Sequence, residues 1–238
     1  MLILPLLFAC GADVADDTDS SADSDTDTDS DSDTDSDSDS DTDTDTEVTC
    51  EEQEGVTRAG AVWTYSYTTS DGSFTEVVES YDASTRTFAR RRSGSSGSDT
   101  SEAVYQFRCD DVGLWLLGAE GTQVYRESGQ RTTWVTTMEP QFVRPMDLSP
   151  GDTWTSVLQG LTLTEDNFGY RSEYPVSTGW TSTAGDAFET VTVAAGSFTA
   201  LRIREDWDDG GSTEYSFAPE IGTLMASGLE LAAFDPGE

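Results

Sequence analysis

From Ala61 to Phe234 the chain alternates apolar and polar residues with a period of two, and no window of eleven or more residues sustains a helical period. Gly, Pro, Asp and Ser interrupt the alternation every eight to twelve positions. Such a segment can bury one face of a pleated sheet and little else. Residues 61–67, the turn Ser70-Asp71-Gly72 and residues 73–81 read as a hairpin. Further strands are predicted at 86–91, 103–109, 113–117, 122–126, 132–137, 153–158, 176–181, 188–193, 198–204, 212–217 and 229–234. About a dozen antiparallel strands on short turns make an open sheet curl, so the expected fold is all-β: a strongly curved antiparallel sheet, a half-barrel or a barrel.

The first fifty residues cannot join that sheet. From Asp16 to Thr46 the chain is nearly pure Asp alternating with Ser or Thr, without one aromatic, Leu, Ile or basic residue. Self-repulsion and low hydrophobicity predict a disordered segment, whose reach from Cys10 to Cys50 is at most about 130–145 Å. A spacer is the plain reading; calcium binding through the Asp-x-Asp spacing, O-glycosylation and recognition by a sorting apparatus are the alternatives. An EF-hand loop needs Gly at its sixth and Glu at its twelfth position, and neither is in register here, so weak, nonspecific binding of divalent cations is expected. The chain thus divides into a leader at 1–10, a tether at 11–48 and a β-rich globular domain at 49–238.

Nine apolar residues ahead of Cys10 are too few to span a bilayer but suit the end of a secretory leader. Leu7-Phe8-Ala9-Cys10 resembles the lipobox of bacterial lipoproteins, in which the Cys is lipidated and becomes the mature N-terminus. Phe8 stands where that pattern has a small residue, and no cationic stretch precedes the apolar run, so a translation start upstream of Met1 is expected. The alternative is an ordinary cleaved leader that ends near a Cys. The resemblance implies attachment to a membrane through a lipid on Cys10. Gly11, rather than Asp, after the Cys points by the family's sorting pattern to the outer membrane or the cell surface. Three cysteines in an exported chain leave one over; with Cys10 set apart by the tether, Cys50 and Cys109 are expected to pair, two free thiols being the alternative. Closing a loop of about sixty residues contributes roughly 4 kcal/mol in the chain-entropy model.

Formal charge is −35, with 47 acidic residues against 12 basic ones. Even without the tether's acids the domain stays strongly acidic, which disfavours nucleic acid and anionic lipid as partners. Every basic residue is Arg, because the chain has no Lys and no His. Serine and cysteine triads that depend on imidazole, His-ligated zinc or haem, Schiff bases and P-loop lysines are therefore excluded. Carboxylate chemistry and oxygen-ligated metals survive, but nothing selects a catalytic pair, and neither a catalytic residue, a metal ligand nor a cofactor is assigned.

Ala195-Gly196-Ser197-Phe198, with a strand on either side, is followed by Tyr215-Ser216-Phe217-Ala218-Pro219-Glu220-Ile221-Gly222; Leu148-Ser149-Pro150-Gly151-Asp152-Thr153-Trp154 lies upstream. Residues 147–234 resemble, in these motifs, uncharacterised families of secreted proteins and lipoproteins. More distantly the sheet is similar to lipoprotein-carrier-like half-barrels, which wrap a greasy cavity. The resemblance implies a fold and no activity. Three local features compete as sites. Arg90-Arg91-Arg92, read at the end of a strand, could grip a phosphate or acidic glycan, contact the chain's own tether, or be a solvated edge. Glu205, Asp206, Asp208 and Asp209, or Asp110 and Asp111, could hold a hard cation or simply serve hairpin turns. The six Trp are expected in the core or at its rim, with sugar stacking as the alternative. The leading expectation is a non-catalytic binding module for an apolar ligand, ahead of a protein- or glycan-binding envelope protein and, third, a carboxylate hydrolase.

Overall fold

A computed structural model describes residues 58–237. Cys10, the tether and Cys50 lie outside the described residues. Thirteen strands follow in chain order: β1 (Val62–Tyr67), β2 (Gly72–Asp82), β3 (Thr87–Ser96), β4 (Asp99–Cys109), β5 (Gly113–Tyr125), β6 (Gln130–Pro145), β7 (Thr153–Asp166), β8 (Arg171–Ala184), β9 (Glu189–Val193), β10 (Gly196–Trp207), β11 (Ser212–Ala218), β12 (Gly222–Ala226) and β13 (Leu229–Asp235). No helix occurs among the described residues. Strands β1 to β8 pair in sequence, β8 pairs with β10, β10 with β11, and β13 returns to β1, so twelve antiparallel strands close into a barrel. Closure removes most of the sheet edge that would otherwise invite aggregation. The remaining strand, β9, lies outside the ring and pairs with the first half of β10.

The pleat decides what faces inward. Phe234, Trp63, Glu76, Arg92, Ala103, Gly121 and Trp134 are successive cross-strand partners from β13 round to β6, and directly opposed residues share a face. Trp63, Ala103 and Trp134 in that row are buried. On the outer face of β8, Arg171, Glu173, Ser177, Thr181 and Thr183 are exposed, while Trp180, Ser182 and Ala184 at the alternate positions are buried. Polar-out, apolar-in is the reverse of the alternation in a lipid-spanning barrel.

The strands are longer than their sequence signals. Residues 113–117 and 122–126, predicted as two strands, form the single strand β5 with a bulge between Leu116 and Gly118. Gly121, which reads as a turn residue, instead admits the indole of Trp134: an added Cβ would lie 2.5 Å from the Glu102 carbonyl oxygen and 2.6 Å from the Trp134 ring. Gly121→Ala is expected to cost about 1–3 kcal/mol through overpacking, read as a lower denaturation midpoint at unchanged slope. Strand β6 runs on through Pro140, which sits in a stretch paired with neither neighbour, so its missing N–H costs no ladder bond. Strand β12 was not predicted, because five residues opened by a Gly carry too short an alternation to register.

One end of the barrel carries the turns at 68–71, 97–98, 208–211 and 227–228, and the other the turn at 219–221. The 219–221 turn at that second end is tied to β1 from inside. The Trp63 indole Nε1 donates to the Ile221 carbonyl at 2.6 Å, and the Tyr65 hydroxyl donates to the Thr223 carbonyl at 2.9 Å. Both acceptors lie in or just after the Ala218-Pro219-Glu220-Ile221-Gly222 turn, where Gly222 takes a φ of 98°. The Ala-Pro-x-x-Gly motif is thus a structural cap. Phe198 and Val193 of the β9–β10 hairpin pack with Trp63, Leu224 and Leu231 in the same apolar cluster.

Candidate functional site

The barrel interior is not filled by its own side chains. A cavity of about 220 Å³ remains, walled by Trp63, Tyr65, Phe74, Tyr105, Phe107 and Phe217 and by the aliphatic groups of Leu114 and Leu116. It reaches Tyr67, Ser101 and Leu229 at the end opposite the cap. Gly94 and Ser101 are register partners on β3 and β4 beside Phe74, two small residues on that side of the interior.

Five charged side chains line this apolar space: Glu76, Arg90, Arg92, Arg144 and Glu205. Arg90-Arg91-Arg92 therefore does not form one basic patch at a strand end. It lies within β3, and the pleat splits it. Arg91 points outward to Glu79 and Glu102. Arg90 and Arg92 point inward with Phe88, and this alternation with Ala89 and Arg91 was the available sequence signal. Arg92 Nε donates to Glu76 Oε1 at 2.7 Å, its Nη2 bonds the same oxygen, and Arg90 Nη1 reaches Oε2 at 3.3 Å. The guanidinium carbons lie 4.8 Å from the Trp63 ring centre for Arg90 and 4.7 Å from that of Phe74 for Arg92, within cation–π range. Burial pushes the Glu76 carboxyl up, but Arg92 and Arg90 outweigh it and hold it below the usual range, while Glu76 keeps Arg92 protonated despite burial.

Glu205 has no such partner. It is 5% exposed, and burial pushes its pKa up to about 7. The Tyr215 hydroxyl and, more weakly, the Trp180 indole oppose that rise; the indole N–H leans toward the carboxyl without reaching hydrogen-bond geometry. Arg144, 6% exposed, stacks 4.6 Å from the Phe217 ring centre and donates from Nη1 to the Pro145 carbonyl at 3.0 Å.

The acidic turn at 205–209 is not one site. Glu205 faces inward, Asp206 pairs with Arg204 outside, and Asp209 accepts the Gly211 N–H at 3.0 Å. Asp110 accepts the N–H groups of Val112, Gly113 and the Trp115 indole at 3.0–3.1 Å, and Asp111 pairs with Arg86. Among the described residues no three acidic or sulfur side chains converge as metal ligands. Trp63, Trp134, Trp154 and Trp180 are buried and Trp115 and Trp207 half-buried, so no exposed pair stands ready to stack on a sugar. Cys109 ends β4, 3% exposed, with its sulfur 3.4 Å from Met146 Sδ; its expected partner Cys50 lies outside the described residues.

The class defined by fold and site is a closed antiparallel β-barrel with a charged, aromatic-walled cavity. Compared with family models, with curated proteins and with solved structures, the chain matches none of them.

Proposed function

We propose that this protein is a lipid-anchored envelope or cell-surface lipoprotein whose barrel binds a small apolar molecule and performs no chemistry on it. The observation that carries the reading is the aromatic-walled cavity inside the barrel. Its volume lies above the roughly 150 Å³ that admits benzene and below the ~300–1,000 Å³ of pockets for drug-sized ligands. The lipobox-like Leu7-Phe8-Ala9-Cys10 supports the anchor at the outer membrane or cell surface, with the acidic tether as spacer and the Cys50–Cys109 pair as its pin. A hydrolase is disfavoured because both oxygens of Glu76 are held by guanidiniums, which leaves Glu205 without a second free carboxylate in the cavity.

Native mass spectrometry of the exported full chain, with organic extraction of the same sample, tests this. A stoichiometric adduct of small mass is expected; a clean unliganded mass across independent preparations would sink the reading. Intact mass without reductant should also show the loss of two hydrogens at the Cys50–Cys109 pair and an added lipid on Cys10.

A protein-binding role is the second reading. Strand β8 pairs with β10 only at 180–184, so residues 171–178 form an edge, beside which Leu163, Phe168 and Tyr170 are 48%, 73% and 71% exposed. That reading expects Leu163→Glu with Phe168→Ser to abolish cross-linking to an envelope partner while leaving any small-molecule adduct in place.

A further inference from the structure

Two buried donors on the inner face of β8 stand apart from the hydrogen bonding that serves the rest of the barrel. The indoles of Trp63, Trp115 and Trp154 each donate to an oxygen at 2.6–3.0 Å. Trp180 Nε1 donates to none, although the residue is only 6% exposed, and the Ser182 hydroxyl, at 0% exposure, also lacks a partner. Both flank Glu205. Ser182 is its register partner on β8, and Trp180, the register partner of Trp207, is its diagonal neighbour. Trp180 and Glu205 line the cavity. A buried donor without an acceptor is costly, and native structures seldom leave one without a water or a ligand to take it.

Resting on the reading of the barrel interior as a binding site, we propose that the ligand carries one uncharged hydroxyl, held between the Trp180 indole and the Glu205 carboxyl. The head group follows from the donors and acceptors present. An indole N–H only donates, so whatever meets it must bring an acceptor, and an ammonium brings none. A carboxylate brings acceptors but sets its charge against that of Glu205 in a buried wall. A hydroxyl serves both groups: its oxygen accepts from Trp180 Nε1, and its O–H donates to the Glu205 carboxylate. Where Glu205 is protonated, the second lone pair of the same oxygen accepts from it. Nε1 is covered by the wall, and a turn of the Glu205 carboxyl toward the Ser182 hydroxyl opens the gap that the ligand oxygen fills. The apolar body lies against Trp63, Phe107 and Phe217, and the volume of about 220 Å³ limits it to roughly one ring or a medium-length chain.

Four single-ring probes that differ at one group test the proposal by calorimetric titration into the full chain near neutral pH: benzyl alcohol, ethylbenzene, benzylamine and benzoate. Transfer out of water alone favours ethylbenzene, the most apolar of them. Benzyl alcohol is nevertheless expected to bind one per chain and at least about tenfold more tightly than each of the others, because a site that hydrogen-bonds a hydroxyl rejects the analogue lacking it. Trp180→Phe, which removes the N–H and keeps a ring, is expected to abolish most of the preference for benzyl alcohol over ethylbenzene; circular dichroism checks that the variant folds. A folded Trp180→Phe that keeps the preference overturns the assignment. The four-probe comparison on the unaltered chain decides the matter even if the variant unfolds. Equal or tighter binding of ethylbenzene means that water alone serves Trp180 and Glu205; it overturns the hydroxyl assignment and leaves an apolar site standing. Tightest binding of benzylamine or of benzoate overturns it in favour of a charged head group. Failure of all four to bind, at concentrations up to about 1 mM, overturns the proposal and, with an adduct-free native mass, the apolar-ligand reading as well.

Discussion

Replacing Glu76 by Ala is expected to lower the unfolding free energy at neutral pH by about 3 kcal/mol, read from denaturant midpoints. Truncation removes the carboxylate that holds Arg90 and Arg92 together against the rings of Trp63 and Phe74. The figure sits at the low end of the range for a broken buried pair because water in the cavity still reaches both arginines. Glu76→Gln should cost less, since the amide oxygen keeps one acceptor for Arg92. The cost must also depend on pH. The folded-state pKa of Glu76 is depressed below its unfolded value near 4.5, so the stability it contributes is present above that value and is lost as pH falls through the folded-state pKa. The gap between the original chain and Glu76→Ala should therefore narrow in acid. An equal gap at all pH values would mean that packing, not charge, is what Glu76 contributes.

Glu205→Gln is expected to act in the opposite direction. Burial raises the Glu205 pKa from 4.5 to about 7, so between those values the folded chain holds a proton that the unfolded chain releases. Stability from this group is fully present below the unfolded pKa, falls as pH rises through the folded one, and is then missing by about 3 kcal/mol. The amide carries no charge and escapes that loss. Its stability relative to the original chain should rise by about 3 kcal/mol between roughly pH 4 and pH 8. The groups around Glu205 that could alter this are Tyr215, Trp180 and Arg144 of the cavity wall; a flat difference would show that Arg144 or water already neutralises the carboxylate.

Much of the sheet was legible because its signals are local. Alternation such as that of Val62 to Tyr67 marks strands wherever one face is buried, and turns such as Ser70-Asp71-Gly72 separate them. Legibility failed where a residue served a neighbour rather than its own segment. Gly121 looked like punctuation and is a recess for Trp134, a residue thirteen positions on and one strand away. Strand β6 runs on past the predicted 132–137 because Pro140 lies in a ladder gap, where its missing N–H costs nothing. The site was less legible than the fold. Three consecutive arginines read as a surface cluster because solvated charge is the ordinary fate of Arg, and only the inward register of Phe88 could have divided them.

By itself, then, the sequence determined the class of fold and narrowed the chemistry open to the chain: no Lys and no His, an acidic segment too polar to bury a core, and about a dozen alternating strands that must curl. Tertiary structure decided closure and contents. Whether β8 meets β10, whether Arg90 faces Glu76, and whether Glu205 is left without a cation depend on strand order and stagger round the barrel. Those are relations between residues more than a hundred positions apart in places, such as Trp63 and Ile221, and pairing energies at that separation leave no periodic trace in the local sequence.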